Sequence, residues 1–390
     1  MKRNDEPLIA IYDFALLPYA LGDVLTWSCK NTVKAIENNK KTVDVYLCCD
    51  KNSCANHYQR NFINSDNCEY YFHEIKDAFK SNPLLENIYI YSNRDEMIKS
   101  IKDRIKDKLN IKILKKYTDT IFYKPAIIFL LLKKIKDLYD QTDRAKKVAL
   151  QNKKKYAHEV NFFHTYIYFT FNKVEQKMKQ YFINEIYLHK EINTFYKKNN
   201  YLPYLNSFEK YGEELTSTIL EKIKNKKIVT VQFRSRKFDK VMDSSGVDER
   251  DADYVEWFNF LKLASIEFPN IIFALLGRVN EKPEELLDLP NVVSLRKEGL
   301  SLIYDLAIFK KSILFMGSSS GFASYANYSK IPYFITKMNE NACKSYGIPL
   351  GSNSTQFASK NQVLFYGKES AEQLLFILRE FLAKGTITAA

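Results

Sequence analysis

Gly317-Ser318-Ser319-Ser320-Gly321 carries the strongest chemical signal in this 390-residue chain. It follows a short apolar run, Ile313 to Met316, and precedes a helix-compatible segment and a second buried run, Ile331-Pro332-Tyr333-Phe334-Ile335. The pattern predicts strand, turn, helix and strand in one βαβ unit. Two glycines let the backbone curl tightly. The unpaired N–H groups of the next helix, its positive dipole end and the hydroxyls of Ser318, Ser319 and Ser320 then form a seat that suits a phosphate. A plain serine-capped turn has the same letters.

Two further sets of residues bear on that choice. Ile228 to Phe233 reads as a strand that delivers Arg234-Ser235-Arg236 at its end. Guanidinium groups bind phosphate oxygens in pairs, so Arg234 and Arg236 are candidates to clamp a diphosphate; two surface arginines in a basic chain are the plainer reading. Near the N-terminus, Leu8 to Leu17 reads as a strand, Val24, Trp27, Val33 and Ile36 recur at helical spacing, and Lys41 to Cys49 reads as a second strand. Gly22-Asp23 heads that helix. Asp23 is either its N-cap or a carboxylate facing the crevice where open α/β sheets bind ligands, placed to act as a general base toward a hydroxyl.

The elements that must position these groups alternate. Asn87 to Asn93 is a further strand, Glu209 to Lys224 and Tyr254 to Phe268 are helices, Ile271 to Leu276 is a strand ending at Gly277-Arg278, and Val292 to Leu295 is a short strand. Leu300 to Phe309 is a helix that leads into the serine turn, and Ala371 to Leu382 closes the chain as an amphipathic helix. Such alternation calls for α/β architecture with parallel, doubly wound sheets. The length suits two domains, residues 1–205 and 206–390, joined near Tyr201 to Ser207. Between about 99 and 200 lies a helical, lysine-rich insert in which basic residues interleave with Ile, Leu, Phe and Tyr. That interleaving suits either a solvated helix face or an anionic membrane surface. Within Asn161 to Asn199, the lone histidines His164 and His189 read as core or surface groups.

A net charge of +13 favours acidic partners, and the 46% apolar content suffices for a buried core. The lysine helices contain no recognisable nucleic-acid-binding module, so nucleic acid is not an expected partner. Five of the six cysteines fall in the first seventy residues, but no CxxC pair occurs and Cys48 and Cys49 are adjacent on a strand. No metal site is therefore expected, and Asp251-Ala252-Asp253 reads as a helix start. The N-terminus has no signal-peptide pattern and the longest apolar run, Ala126 to Leu132, is far too short to span a bilayer. A cytoplasmic setting, peripheral on a membrane face, is the expectation.

Taken together, these segments resemble GT-B glycosyltransferases. Ala20-Leu21-Gly22-Asp23-Val24 is similar to the opening turn of the ADP-heptose heptosyltransferase group, whose matching aspartate is the proposed catalytic base. MGSSSGFASYANYSKIPYFI resembles the donor-phosphate loop of that group and of the GT-B fucosyltransferases. Val231 to Lys237 is loosely similar to the fucosyltransferases' His-x-Arg-Arg element, with Gln232 in the histidine position. The resemblance implies two Rossmann-like domains facing across a cleft, the donor held by the C-terminal one and the acceptor by the N-terminal one. It also implies a closing helix that returns to the N-terminal domain. Transfer would be inverting, without metal or other cofactor, from a nucleotide-sugar to a glycan or lipid-linked acceptor in surface polysaccharide or glycoconjugate synthesis. Asp23 would be the base, with Gly22 in the acceptor turn. Arg234, Arg236 and Ser318 to Gly321 would hold the diphosphate. Gly277, Arg278 and Glu298, in the loops Leu276 to Asn280 and Lys297 to Leu300, would meet the nucleotide. A non-catalytic nucleotide- or sugar-binding protein and a nucleotide-sugar epimerase share this fold.

Overall fold

The computed structural model describes residues 6–51, 59, 63–121, 189–206, 208, 210–211, 213, 225–234, 251–278, 282 and 284–387. Arg236, Cys54, His57, His164, nearly all of the expected helix Glu209 to Lys224 and most of the lysine-rich insert lie outside them. The architecture is mixed α/β with two parallel sheets.

The N-terminal sheet has β1 (Leu8–Asp13), β2 (Val43–Cys48) and β3 (Leu85–Tyr91) in that order, all parallel. β1 and β2 are buried along their whole length and apolar except for Asp13 and Asp44, as suits parallel strands covered on both faces. β1 ends at Asp13, short of the expected Leu17, because Asp13 turns the chain. Its carboxylate accepts from Ala15 N–H (2.9 Å) and its carbonyl from the N–H groups of Leu16 and Leu17. The same carboxylate receives Arg94 Nε (2.7 Å) and the Tyr117 hydroxyl (2.7 Å), which fastens α3 (Arg94–Arg104) and α4 (Lys108–Ile121) to the strand end. On the outer side of β1, Ile9 N–H donates to Asn110 Oδ1 of α4 (3.0 Å), so a side chain satisfies the strand's free edge. In α4, Asn110, Leu114 and Tyr117 face inward and Lys112, Lys115 and Lys116 face out. Among the described residues no helix is long and apolar enough to cross a membrane.

The C-terminal sheet has six parallel strands in the order β6-β5-β4-β7-β8-β9. They are β4 (Lys227–Gln232), β5 (Ile271–Leu275), β6 (Val292–Val293), β7 (Ser312–Ser318), β8 (Tyr333–Thr336) and β9 (Gln362–Leu364). Alternation along these strands divides the core. Val229, Val231, Leu314 and Met316 face one side, closed by α6 (Tyr254–Glu267) and α11 (Ala371–Lys384). Ile228 and Phe315 face the other side and join one continuous apolar cluster that extends through α1 (Leu21–Glu37) to β1 and β2.

This arrangement corrects one expectation. The closing helix α11 does not return to the N-terminal domain; Leu374, Leu375 and Leu378 pack in the C-terminal cluster with Trp257 and Phe260 of α6. Arg379 pairs with Glu267, and Ala371 N–H donates to Glu256 (2.7 Å), so both ends of α11 are held on α6. The halves are joined elsewhere. The connecting stretch at 201–206 is packed between them: Leu205 N–H bonds Tyr328 carbonyl, Asn206 N–H bonds Ser81 carbonyl, and Leu202 and Leu205 are buried.

α5 (His189–Asn199) adds a second joint. Its buried His189 meets the Tyr328 hydroxyl through Nδ1 at 2.9 Å, and Tyr328 in turn reaches Thr26 of α1. Burial holds His189 down to about 3. A base with a depressed native value contributes stability above its unfolded value near 6.5 and loses it as pH falls toward 3. The wild type should therefore lose up to roughly 4–5 kcal/mol more than a His189→Gln protein between pH 7 and pH 3. Urea unfolding at a series of pH values checks it, and parallel pH profiles would contradict it.

Candidate active site

The strand order of the C-terminal sheet sets the location. Outward from the β4–β7 pair, β5 and β6 lie on one side and β8 and β9 on the other. Loops that leave such a pair in opposite directions open a crevice beyond the carboxyl ends. Ser318 ends β7, and Arg234 lies two residues beyond β4. The expected turn and Arg234 are thus neighbours at the switch point.

Within the turn, Arg234 N–H donates to Ser318 Oγ (2.9 Å) and Ser319 N–H donates to Thr336 carbonyl (3.0 Å). These two bonds fix the buried first half of the turn. Ser320 is the N-cap of α9 (Gly321–Asn327), but its hydroxyl donates to Gln232 Oε1 and does not cap the helix. Gln232, in the position compared with a histidine, therefore orients the third serine. α1 also begins without a side-chain cap, because its N-cap is Ala20. Asp23 is consequently not the N-cap but a first-turn residue, three positions further on.

The two uncapped helix starts touch. A Cβ on Gly321 would lie 2.8 Å from Leu21 Cβ and 3.1 Å from Gly22 N, and one on Gly22 would lie 2.9 Å from Ser324 Oγ and 3.3 Å from Gly321 Cα. A side chain at position 321 would meet backbone here, whereas one at position 22 would first displace the Ser324 hydroxyl. Asp23 is the next residue of α1 after Gly22, in the first turn at this junction. Its charge adds to the effect of burial in pushing up the hydroxyls of Tyr12, on β1, and Tyr328, just past α9.

Arg234 places Nε 3.6 Å from Asp251 Oδ1, and Ala252 N–H donates back to Arg234 carbonyl (2.8 Å). Asp253 caps α6, which agrees with the helix-start reading of Asp251-Ala252-Asp253. No group of three or more His, Cys, Asp or Glu among the described residues could hold a metal ion.

Of the expected nucleotide contacts, Gly277 and Arg278 follow β5, next to β4 on the same sheet edge. Gly277 takes a positive φ of 93° and donates its N–H to Asp305 Oδ2 (3.2 Å). Burial pushes Asp305 up to about 7 against the pull of Lys282 and Arg296. Arg278 stands over the rings of Tyr70 and Tyr71 and places Nε 3.4 Å from Glu74, which Arg296 also reaches. These residues come from α2 (Cys68–Ile75), so Arg278 ties the halves together at a further point. Glu298 is exposed in the turn before Gly299.

Sequence reasoning missed Lys337 and Glu369. Lys337 follows β8, and Glu369 is buried beneath the same sheet edge. A signal for Lys337 was present, since it is the first residue past an apolar strand that neighbours the serine turn.

No model of a known protein family matches the chain, and no curated protein matches it. Among solved structures, the chain is similar to the E. coli ADP-heptose LPS heptosyltransferase II at 10% identity, covering 97% of this chain and 99% of that one, with a TM-score of 0.47. It is also similar to a glycosyl transferase family 9 structure from Veillonella parvula at 8% identity, covering 100% and 92%, with a TM-score of 0.44. A candidate UDP-N-acetylglucosamine 2-epimerase from Listeria monocytogenes matches at 8% identity over 97% and 88%, with a TM-score of 0.41.

The helix junction makes a quantitative prediction. Gly321→Ala should destabilise the protein by about 1–3 kcal/mol, because its new methyl meets backbone as well as Leu21. Gly22→Ala should cost less, since its nearest obstacle is the rotatable Ser324 hydroxyl. Denaturant melts of both variants decide the order, and equal, near-zero costs would contradict the close approach.

Proposed function

We propose that the protein is a glycosyltransferase that moves a sugar from a nucleotide-sugar donor to an acceptor hydroxyl with inversion. The observation that supports the proposal is the meeting of two uncapped helix starts at Gly22 and Gly321, near the sheet's switch point and with Asp23 the next residue after Gly22. Unpaired N–H groups and two positive dipole ends favour an anion there. Asp23 supplies a proton acceptor on the other side of the junction.

In the proposed reaction the acceptor oxygen attacks the anomeric carbon and forms the new glycosidic bond. Its proton passes to Asp23. The bond from the anomeric carbon to the diphosphate oxygen breaks, and its electron pair leaves with the nucleoside diphosphate. Arg234 and the turn Ser318 to Gly321 stabilise the charge that develops on that leaving group, where preorganised donors act most strongly. Arg236 would join them. Gly277, Arg278 and Glu298 lie further along the same edge, on the nucleotide side. The acceptor, a glycan or lipid-linked hydroxyl, would enter from the N-terminal half by way of Gly22. None of Cys29, Cys48, Cys49, Cys68 and Cys343 is in a disulfide, which suits a reducing, cytoplasmic setting, with the lysine-rich insert available to an anionic membrane.

Thermal melts with UDP, GDP, ADP, CMP and their sugar conjugates test the donor half of the reading. A ligand at about a hundred times its dissociation constant adds about 2.7 kcal/mol, and one nucleotide should do so selectively. Asp23→Asn should keep that shift and lose roughly 10²–10⁴-fold in turnover. Unchanged turnover would remove Asp23 as the base. Nucleoside diphosphate released without any acceptor, in step with a change in the sugar itself, would favour an epimerase.

A further inference from the structure

The order β4-β7-β8 puts three sets of residues side by side at one sheet edge: Arg234 past β4, Ser318 to Gly321 past β7, and Lys337 past β8. We propose that Lys337 is the second cation of the diphosphate seat, across the serine turn from Arg234. The proposal rests on the nucleotide-sugar reading above and assigns it a binding residue that the family resemblance did not indicate.

Register places Lys337 at the turn. Ser318 pairs with Thr336, and Ser319 N–H donates to Thr336 carbonyl, so Lys337 is the next residue along. Its φ is 56°, in the left-handed region that a non-glycine residue seldom occupies. Such conformations carry a cost and cluster where function requires them.

The pairing of Lys337 points the same way. Its Nζ lies 3.7 Å from Glu369 Oε2, longer than a charge-assisted hydrogen bond of about 2.7–2.9 Å. Glu369 does not depend on it. Trp257 Nε1 (3.0 Å) and the Thr336 hydroxyl donate to Oε1, and Asp253 N–H donates to Oε2 (2.7 Å). The carboxylate is therefore held by three neutral donors, while the lysine side chain keeps 25% of its surface exposed.

Arg234 is held in a matching way, 3.6 Å from Asp251. One short segment anchors both arrangements: Asp251 faces Arg234, Ala252 N–H bonds Arg234 carbonyl, and Asp253 N–H bonds Glu369. Two cations thus follow the strands on either side of the serine turn, each beside a carboxylate, and Glu369 is held by other donors. Without an anion in the seat, those carboxylates offset the repulsion between the cations. With one bound, the lysine can turn from Glu369 to a phosphate oxygen, because Glu369 remains hydrogen-bonded.

Isothermal titration with UDP, GDP, ADP and inorganic pyrophosphate tests this on wild type, Lys337→Gly and Lys337→Arg. Lys337→Gly should bind the preferred diphosphate about tenfold or more weakly. Its melting temperature should equal or exceed that of wild type, since glycine adopts positive φ without strain. Lys337→Arg should retain most of the affinity. If Lys337→Gly binds as tightly as wild type, the lysine serves only Glu369 and the proposal is overturned. If wild type itself binds none of the four probes, the donor reading fails and the proposal falls with it.

Discussion

Everything proposed for this chain depends on one steric fact: two helices from different halves begin against each other, with glycine facing glycine. Gly22 in α1 and Gly321 in α9 leave no room for a methyl group between the helix starts. Because neither helix has a side-chain cap, the junction concentrates unpaired backbone donors. It also fixes Asp23, two residues into α1, relative to Ser320. The continuous apolar cluster running from β1 through α1 to Phe315 and Tyr325 then locks the geometry.

Charge is handled along the sheet edge by consistent means. Arg234, Arg278 and Lys337 follow three of the strands, and each has a carboxylate near it: Asp251, Glu74 and Glu369. The partners differ in origin. Asp251 and Glu369 belong to the same half as their cations, whereas Glu74 comes from α2 in the other half. Arg278 therefore contributes to joining the halves. Asp13, by contrast, is saturated by Arg94, Tyr117 and Ala15, which makes it a structural carboxylate.

Much of this was legible in the sequence because it depends on local pattern. The unit from Ser312 to Thr336, with its turn at Ser318 to Gly321, follows from apolar runs on either side of a glycine-serine turn, and the strand-end position of Arg234 from the run before it. Long-range effects were less legible. Strand β1 stops at Asp13 because Arg94 and Tyr117, about a hundred residues away in the latter case, claim its carboxylate. The capping role of Asp23 failed because the helix starts earlier, at Leu21, with Ala20 as its N-cap three residues before Asp23. The course of α11 depends on pairing with α6 through Glu256 and Glu267, which periodicity cannot reveal. Lys337 and Glu369 are separated in sequence and meet only through the strand order.

The measurement that bears most directly on the helix junction is the affinity of the preferred nucleoside diphosphate for Asp23→Asn relative to wild type. A carboxylate held beside the phosphate seat repels the bound diphosphate, so its neutral isostere should bind the product severalfold more tightly, and the gain should shrink as salt is raised. Equal affinity at low salt would mean that Asp23 and the serine turn do not share a site, which would contradict the account at its centre.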